Sequence, residues 1–133
     1  MNKKIKKIKL LVFDIDGTIV ADGKPSISPK LKEAIGKAEQ NGYKTLIATG
    51  RHFKFIHKSL FEDLKPDYLV TINGGSLVDK DGNIIESYTL PIEIVDRLIV
   101  ECEKKQIAIA FKCKEDIVVY TYYNQYVEGY VGF

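Results

Sequence analysis

Two aspartates directly follow the first apolar segment of the chain. Leu10–Phe13 is a run of four apolar residues, and Asp14 and Asp16 come next, separated by Ile15. Two neighbouring carboxylates repel each other, so the pair is stabilised when a cation or a proton lies between them. A divalent ion that prefers oxygen ligands, such as Mg²⁺, meets this need. We therefore predict a metal site at Asp14 and Asp16.

The same pair could carry out covalent phosphoryl chemistry. One carboxylate can attack phosphorus and form an aspartyl-phosphate. The other can protonate the leaving oxygen and later activate water, while a bound metal offsets the repulsion between a carboxylate and a phosphate dianion. Gly17 follows them and allows a sharp turn that brings backbone N–H groups close to an anion. Taken alone, Asp14 and Asp16 are explained equally well by a polar turn whose carboxylates cap the next segment.

Two further polar clusters follow apolar segments in the same way. Residues 49–51 (Thr-Gly-Arg) offer a hydroxyl, an unobstructed backbone N–H and a planar guanidinium suited to phosphate oxygens. They lie where a helix would begin, and a helix N-terminus favours anions. An ordinary strand-to-helix turn is an equal alternative for this cluster alone. For residues 73–75 (Asn-Gly-Gly), a turn at a domain boundary is a better explanation than a contact with the substrate.

Hydrophobic patterning predicts elements that bring the three clusters to one edge of a sheet. The predicted strands and helices alternate along the chain: strand 10–13, helix 29–40, strand 43–48, helix 53–64 and strand 68–72. Ser28 is expected to cap the first helix, with Pro29 in its first turn. This order predicts a parallel sheet with right-handed crossovers, and ligands bind beyond the carboxyl ends of such strands. The first strand, an unbroken apolar run, is expected to be buried on both faces.

The second half of the chain has a different pattern. We predict a hairpin, then a helix opened by Pro91, then two more strands. The predicted strands are residues 76–79, 84–88, 107–113 and 117–123, and the apolar stripe of the helix is Val95, Leu98, Ile99 and Cys102. We therefore predict two domains, residues 1–75 and residues 76–133, of which the second is an α+β unit.

The three clusters resemble the motifs of a known superfamily. Residues 12–18 (Val-Phe-Asp-Ile-Asp-Gly-Thr) match the first motif of haloacid dehalogenase (HAD) superfamily phosphatases, and residues 47–51 (Ile-Ala-Thr-Gly-Arg) match the second motif of its Cof-type branch. Residues 71–75 resemble the segment that precedes the cap domain in that branch. The resemblance covers the chain from Leu10 onward. It implies an α/β fold with a partial Rossmann-like core, parallel β-α-β-α-β, followed by the start of an α+β cap.

The resemblance also implies roles for the matching residues. Asp14 would be the nucleophile and a Mg²⁺ ligand, and Asp16 the general acid/base, with its backbone carbonyl on the metal. Thr49 would bind the transferring phosphoryl group. Gly17 and Gly50 would also bind phosphate. Arg51 and Asn73 would orient the substrate or brace the site.

The function implied by the resemblance is Mg²⁺-dependent hydrolysis of small phosphorylated metabolites, with sugar phosphates as the first expectation. The family's third motif carries a lysine and its fourth carries further aspartates, and both normally follow the cap. No Gly-Asp-x-x-x-Asp segment occurs after Gly75, and Lys112 and Lys114 lie on or beside a predicted cap strand, so neither motif is assigned. We therefore expect a fragment, a truncated gene product or a chain completed by another copy. The first strand would then be an exposed edge, which a homo-oligomer could cover. One alternative is a non-catalytic remnant that binds Mg²⁺ or phosphate. Another is a receiver-type phospho-acceptor domain, but such domains carry the aspartate at the end of the third strand, where this chain has Asn73.

Composition narrows the class of protein. The chain has 133 residues, 45% of them hydrophobic and 29% charged, with a net charge of +2, which is typical of a soluble globular protein. Five lysines lie among the first nine residues. The sequence shows no second basic cluster or aromatic platform to support them, so nucleic-acid binding is not expected. Neither a signal peptide nor a membrane span is predicted. With two cysteines outside any metal-ligand spacing, the chain is expected to be cytoplasmic.

Overall fold

The computed structural model describes residues 9–21, 26–56, 60, 64–114 and 116–131. The chain divides into two compact units, Met1–Ser87 and Tyr88–Phe133. Every residue that we predicted for the functional site lies in the first unit, which contains a mixed sheet. The second unit contains a pair of antiparallel strands and helical segments before and after them.

The sheet of the first unit has the predicted parallel arrangement in its first three strands. Its described strands, in spatial order, are β1 (Leu10–Phe13), β2 (Lys44–Ala48), β3 (Tyr68–Thr71), β4 (Ser76–Asp79) and β5 (Ile84–Ser87). β2 runs parallel to both β1 and β3, so the carboxyl ends of these three strands meet at one edge. The predicted α/β class is confirmed, and each of the three polar clusters follows one of these strand ends.

The hairpin formed by β4 and β5 belongs to this same sheet. β4 pairs antiparallel with β3, with Ser76 opposite Thr71, and β5 pairs antiparallel with β4. The domain boundary that we predicted after Gly75 therefore lies inside the sheet, and the structure divides the chain after Ser87 instead. The sequence pattern predicts two strands joined by a turn, but it does not predict which other strand of the sheet this hairpin pairs with.

β1 is one of the two edge strands in the described part of the sheet, opposite β5. It pairs with β2 on one side, and Leu10 and Val12 are 39% and 57% exposed. Because Leu10 and Val12 lie on the same face of the strand and are both exposed, the prediction that this strand is buried on both faces is wrong for the described structure. The exposed apolar edge agrees with our expectation, and its covering by a second copy stays a prediction.

The first helix, α1 (Pro29–Gln40), begins and ends as predicted. Ser28 Oγ accepts a hydrogen bond from Leu31 N at 3.3 Å, and Pro29 lies in the first turn. Asn41 follows the last turn, and Gly42 has a φ of 79°. Because few residues other than glycine adopt this φ readily, Gly42 ends the helix and redirects the chain toward β2.

The second predicted helix does not start at Phe53. Residues Phe53–Phe55 form a single 3₁₀ turn, and Ile56 is extended, with φ −83° and ψ 124°. The prediction of a continuous helix from Phe53 is therefore wrong. Leu60 and Leu64, which lie within the predicted range, are helical and buried. Phe61, also predicted on this helix, lies outside the described residues. The described core of the first unit contains Ile15, Ile19, Ile27, Ile35, Ile47, Ile56, Leu60, Leu64, Leu69 and Val78.

An ion pair connects the amino-terminal ends of β2 and β3, at the edge of the sheet opposite the polar clusters. Lys44 Nζ donates to Asp67 Oδ1, and Thr45 N donates to Asp67 Oδ2 at 3.0 Å. Partial burial alone would raise the pKa of Asp67, but the hydrogen bonds from Lys44 and Thr45 outweigh it and hold that pKa below its ordinary value. The hydrogen bond to Asp67 also raises the pKa of Lys44.

We expect Asp67 to make the folded state sensitive to acid. Because its pKa is lower in the folded chain, its contribution to the free energy of unfolding is complete above the unfolded pKa of about 4 and is lost as pH falls through the folded value. The urea midpoint of the wild type should therefore decrease in this acidic range, and Asp67→Asn should flatten that decrease. Asp96→Asn, at an exposed position, is the control. Identical acid profiles for Asp67→Asn and the wild type would contradict the prediction.

The second unit follows the predicted α+β pattern. Its elements are α2 (Ile92–Lys105), β6 (Ile109–Lys112), β7 (Ile117–Thr121), α3 (Tyr123–Tyr126) and a π-helical turn, Val127–Val131. β6 and β7 pair antiparallel. On α2 the predicted positions Val95, Ile99 and Cys102 are half-buried, whereas Leu98 is 40% exposed. Among the described helices, none is both long and apolar enough to cross a bilayer.

Candidate active site

Asp14 and Asp16 lie on a tight turn immediately after β1. Ile15 between them is 1% exposed and anchors the turn in the core, while both carboxylate residues are exposed. Gly17 has a φ of 71°, in the left-handed region that favours glycine, and its N–H donates to Val20 O at 2.9 Å. The turn therefore buries its apolar residue and presents both carboxylates at the carboxyl edge of the sheet.

The two carboxylates have different partners. Asp14 Oδ2 accepts a hydrogen bond from the Thr18 hydroxyl at 3.3 Å. Asp16 pairs with Arg51, whose Nε donates to Oδ2 at 3.0 Å while a terminal guanidinium nitrogen donates to Oδ1. Two parallel hydrogen bonds of this kind fix the orientation of a carboxylate. Because the side chains of Arg51 and Asp16 are 41% and 57% exposed, the pair orients Asp16 more than it stabilises the fold.

Thr49 follows β2 and is almost fully buried, with 5% of its surface exposed. Its N–H donates to Val70 O at 2.8 Å, which attaches the residue to β3. Arg51 N donates to Thr49 Oγ1 at 3.2 Å. Because this bond uses a lone pair of the hydroxyl oxygen, the hydroxyl hydrogen is left for donation to an anion. Thr49 is therefore oriented by the same residue that pairs with Asp16.

His52 is a supporting residue of this loop that the sequence analysis missed. It is 4% exposed, and its Nδ1 accepts a hydrogen bond from Lys54 N at 3.2 Å, which caps the 3₁₀ turn that follows. Its ring packs edge-on against Phe55, with 5.8 Å between the ring centroids. A polar residue directly before a short turn is the signal that could have revealed this role.

Asn73 lies beside Gly50 at the end of β3. Asn73 N donates to Thr49 O at 3.3 Å, and the Asn73 side chain occupies the space in which a Gly50 side chain would lie. The structure thus brings Asp16 to Arg51, Arg51 to Thr49, and Asn73 to Gly50. The Asp14 carboxylate is joined to Thr18 of its own turn rather than to the second cluster.

Magnesium fits the oxygen atoms at the end of β1. The Asp14 carboxylate is exposed there, and Asp16 adds a backbone carbonyl on the same turn. Mg²⁺ commonly keeps several waters and is held by one or two carboxylates together with phosphate oxygens of the substrate. Within the described ranges no group of three or more His, Cys, Asp or Glu residues could hold a metal. These residues therefore suit a site with few protein ligands that water and phosphate complete.

Comparison with known proteins relates these motifs to a family of hydrolases. The sequence model of the haloacid dehalogenase-like hydrolases matches residues 11–131. The 5-amino-6-(5-phospho-D-ribitylamino)uracil phosphatase YcsE of Bacillus subtilis is 38% identical over 80 residues, which are 59% of this chain and 31% of that protein. The HMP-PP phosphatase of Yersinia enterocolitica is 32% identical over 88 residues, 66% of this chain and 32% of that protein. The chain thus spans about a third of the length of these curated relatives.

Solved structures share the fold. BT1666 from Bacteroides thetaiotaomicron, a phosphatase of the HAD superfamily, has a TM-score of 0.80 at 25% identity, over 99% of this chain and 49% of its own. The HAD subclass IIB sugar phosphatase BT4131 has a TM-score of 0.78 at 31% identity, over 92% of this chain and 48% of its own. The superfamily that the motifs predicted is therefore confirmed. This chain belongs to the haloacid dehalogenase-like hydrolase family.

Proposed function

We propose that this protein is a Mg²⁺-dependent hydrolase of small phosphorylated metabolites. The observation that carries the proposal is the exposed turn that bears Asp14 and Asp16. Arg51, at the end of the neighbouring strand, donates two hydrogen bonds to Asp16 on this turn. Relatives support the substrate class, since they are named as phosphatases of a phosphoribitylamino-uracil, of HMP-PP and of pyridoxal phosphate. Sugar phosphates are the first substrates to test, because BT4131 is described as a sugar phosphatase.

In the first step Asp14 acts as the nucleophile. A carboxylate oxygen of Asp14 forms a bond to phosphorus, and the bond from phosphorus to the leaving alcohol oxygen breaks. Asp16, in its protonated form, gives its proton to that oxygen. The hydrogen bond from Thr18 holds Asp14 in one orientation for the attack. Asp14 and the backbone carbonyl of Asp16 would hold Mg²⁺, which would supply positive charge against the repulsion between the carboxylate and the phosphate dianion.

In the second step water releases the phosphate. Asp16, now ionised, accepts a proton from water as the water oxygen attacks phosphorus, and the bond from phosphorus to Asp14 breaks. Inorganic phosphate leaves and the Asp14 carboxylate is restored. The Thr49 hydroxyl donates to a phosphoryl oxygen in both steps. The two hydrogen bonds from Arg51 support a bracing role for that residue in the second step, since they hold the ionised Asp16 carboxylate in one orientation.

Phosphate release from an aryl phosphate by the purified chain tests this proposal. We expect release that stops when the divalent metal is chelated and returns when Mg²⁺ is added in excess. The same assay with sugar phosphates and pyridoxal phosphate then ranks the substrates by kcat/KM. Release that does not depend on the metal would contradict the proposal, and so would the absence of release from every phosphomonoester.

A second candidate function is binding of Mg²⁺ and phosphate without catalysis. It is favoured by the small number of ligand side chains at the site, since among the described residues no group of three or more His, Cys, Asp or Glu could hold a metal. Calorimetric titration with inorganic phosphate separates the two functions. Binding that requires Mg²⁺, without turnover of any phosphomonoester, would favour the second candidate.

A further inference from the structure

A left-handed segment follows β3 and is hydrogen-bonded to the loop of the second cluster. Ile72, Asn73 and Gly74 have φ values of 55°, 53° and 94°. This region is unfavourable for residues with a side chain, most of all for a β-branched residue such as Ile72. Ile72 N donates to Arg51 O at 3.1 Å, and Asn73 N donates to Thr49 O at 3.3 Å. The unfavourable conformation is therefore held by bonds to the two residues that flank Gly50.

The side chain of Asn73 completes this connection. A Cβ atom added to Gly50 would lie 2.6 Å from Asn73 Oδ1, a distance at which one of the two groups has to move. Gly50 has no φ in the left-handed region, so its backbone conformation does not require glycine, but a side chain there would displace the Asn73 amide. Asn73 and Gly50 are therefore fitted to each other.

We propose that Asn73 is a positioning residue for the site. Its side chain packs on Gly50 and its backbone holds Thr49, so that the Thr49 hydroxyl and the Arg51 guanidinium keep the orientation in which Arg51 braces Asp16. The inference deepens the proposed function and rests on it for the role of the oriented groups. It replaces the expectation of a domain-boundary turn, because residues 73–75 lie between two paired strands of one sheet.

A double-mutant cycle tests the inference. Gly50→Ala places a methyl group against Asn73, Asn73→Gly removes the amide while keeping a residue that tolerates a positive φ, and the double variant combines them. Gly36→Ala is the matched control, since a Cβ there meets nothing within 4 Å. Two quantities are measured: the Arg51 Nε–H resonance in ¹H–¹⁵N spectra, which reports its bond to Asp16, and the affinity for inorganic phosphate in the presence of Mg²⁺.

We expect Gly50→Ala to shift or broaden the Arg51 Nε–H resonance and to weaken phosphate binding about tenfold when Asn73 is present. In the Asn73→Gly background the same substitution should change the affinity less than about twofold. Equal effects in both backgrounds, or no effect in either, would overturn the inference. If Gly50→Ala alone fails to fold, recovery of folding in the double variant supports it, and failure of both variants overturns it.

The two proposals fail in distinguishable ways. A wild-type chain that neither binds phosphate nor releases it from a substrate refutes the proposed function. The Arg51 resonance still decides the role of Asn73 in that case, because it reports the pairing of Arg51 with Asp16 without any ligand.

Discussion

Replacing Asp14 by asparagine is expected to abolish the Mg²⁺-dependent release of phosphate, with a fall in kcat of about 10⁴-fold or more, as for the loss of nucleophiles in other enzymes. The amide is a poor nucleophile towards phosphorus, and it also removes a charged ligand of the metal. Because Asp14 is exposed and its hydrogen-bond partner is the Thr18 hydroxyl of its own turn, the substitution should leave the urea midpoint unchanged. Phosphate release and urea unfolding are measured on the same preparations.

Asp96→Asn is the matched control for this experiment. It makes the same chemical change at an exposed position of α2, outside the unit that contains the candidate site. We expect wild-type release from this variant. Undiminished release after Asp14→Asn would contradict the assignment of the nucleophile.

Replacing Asp16 by asparagine is expected to lower kcat about 10²- to 10⁴-fold, the range found for general acid–base groups. Asparagine still offers an oxygen to Arg51 but can neither give a proton to the leaving oxygen nor take one from water. The loss should depend on the substrate, because a sugar alcohol needs a proton in order to leave whereas an aryl oxide leaves more readily. The measurement is kcat for a sugar phosphate and for an aryl phosphate.

The same variant should change which step is slow. With the aryl phosphate, attack by Asp14 continues while hydrolysis is slowed, so an early burst of the phenol followed by a slow phase is expected. Equal losses for both substrates, without a burst, would show that Asp16 has a role other than proton transfer. An unchanged kcat for both would exclude Asp16 from the chemistry.

The order of the elements in the first unit could be predicted because each has a local physical cause. The apolar run of β1, the cap at Ser28 and the turn at Gly42 are set by residues within one element or at its end. The placement of the clusters followed from them, since the carboxyl ends of parallel strands lie on one edge. Agreement between these local signals made the three clusters more informative together than alone.

Other features depend on contacts between distant parts of the chain and could not be predicted. The pairing of β4 with β3 is a choice of partner, which the hairpin pattern does not specify. The exposure of Val12 depends on which strands lie beside β1, whereas its apolar character is the same in either environment. A helix that begins at Phe53 was predicted from apolar spacing, but Phe53–Phe55 form a 3₁₀ turn capped by His52, and the chain is extended at Ile56.

The candidate site shows the same limit. The residue types at Asp16 and Arg51 indicated an anion or metal site, but their 35-residue separation gave no reason to pair them with each other. The fit of Asn73 to Gly50 depends on the left-handed backbone at the end of β3, which only the surrounding hydrogen bonds make favourable. Side-chain pairing between loops is therefore the part of the site that the structure adds to the motifs.

The most direct test of the account is a search for phosphate on Asp14 itself. The wild-type chain is mixed with Mg²⁺ and an aryl phosphate, quenched in acid and mapped by peptide mass spectrometry, with Asp14→Asn and a chelated sample beside it. The proposed mechanism predicts one phosphoryl group on the peptide that contains Asp14, lost in the variant and without the metal. Phosphate release without any label on Asp14 would contradict it.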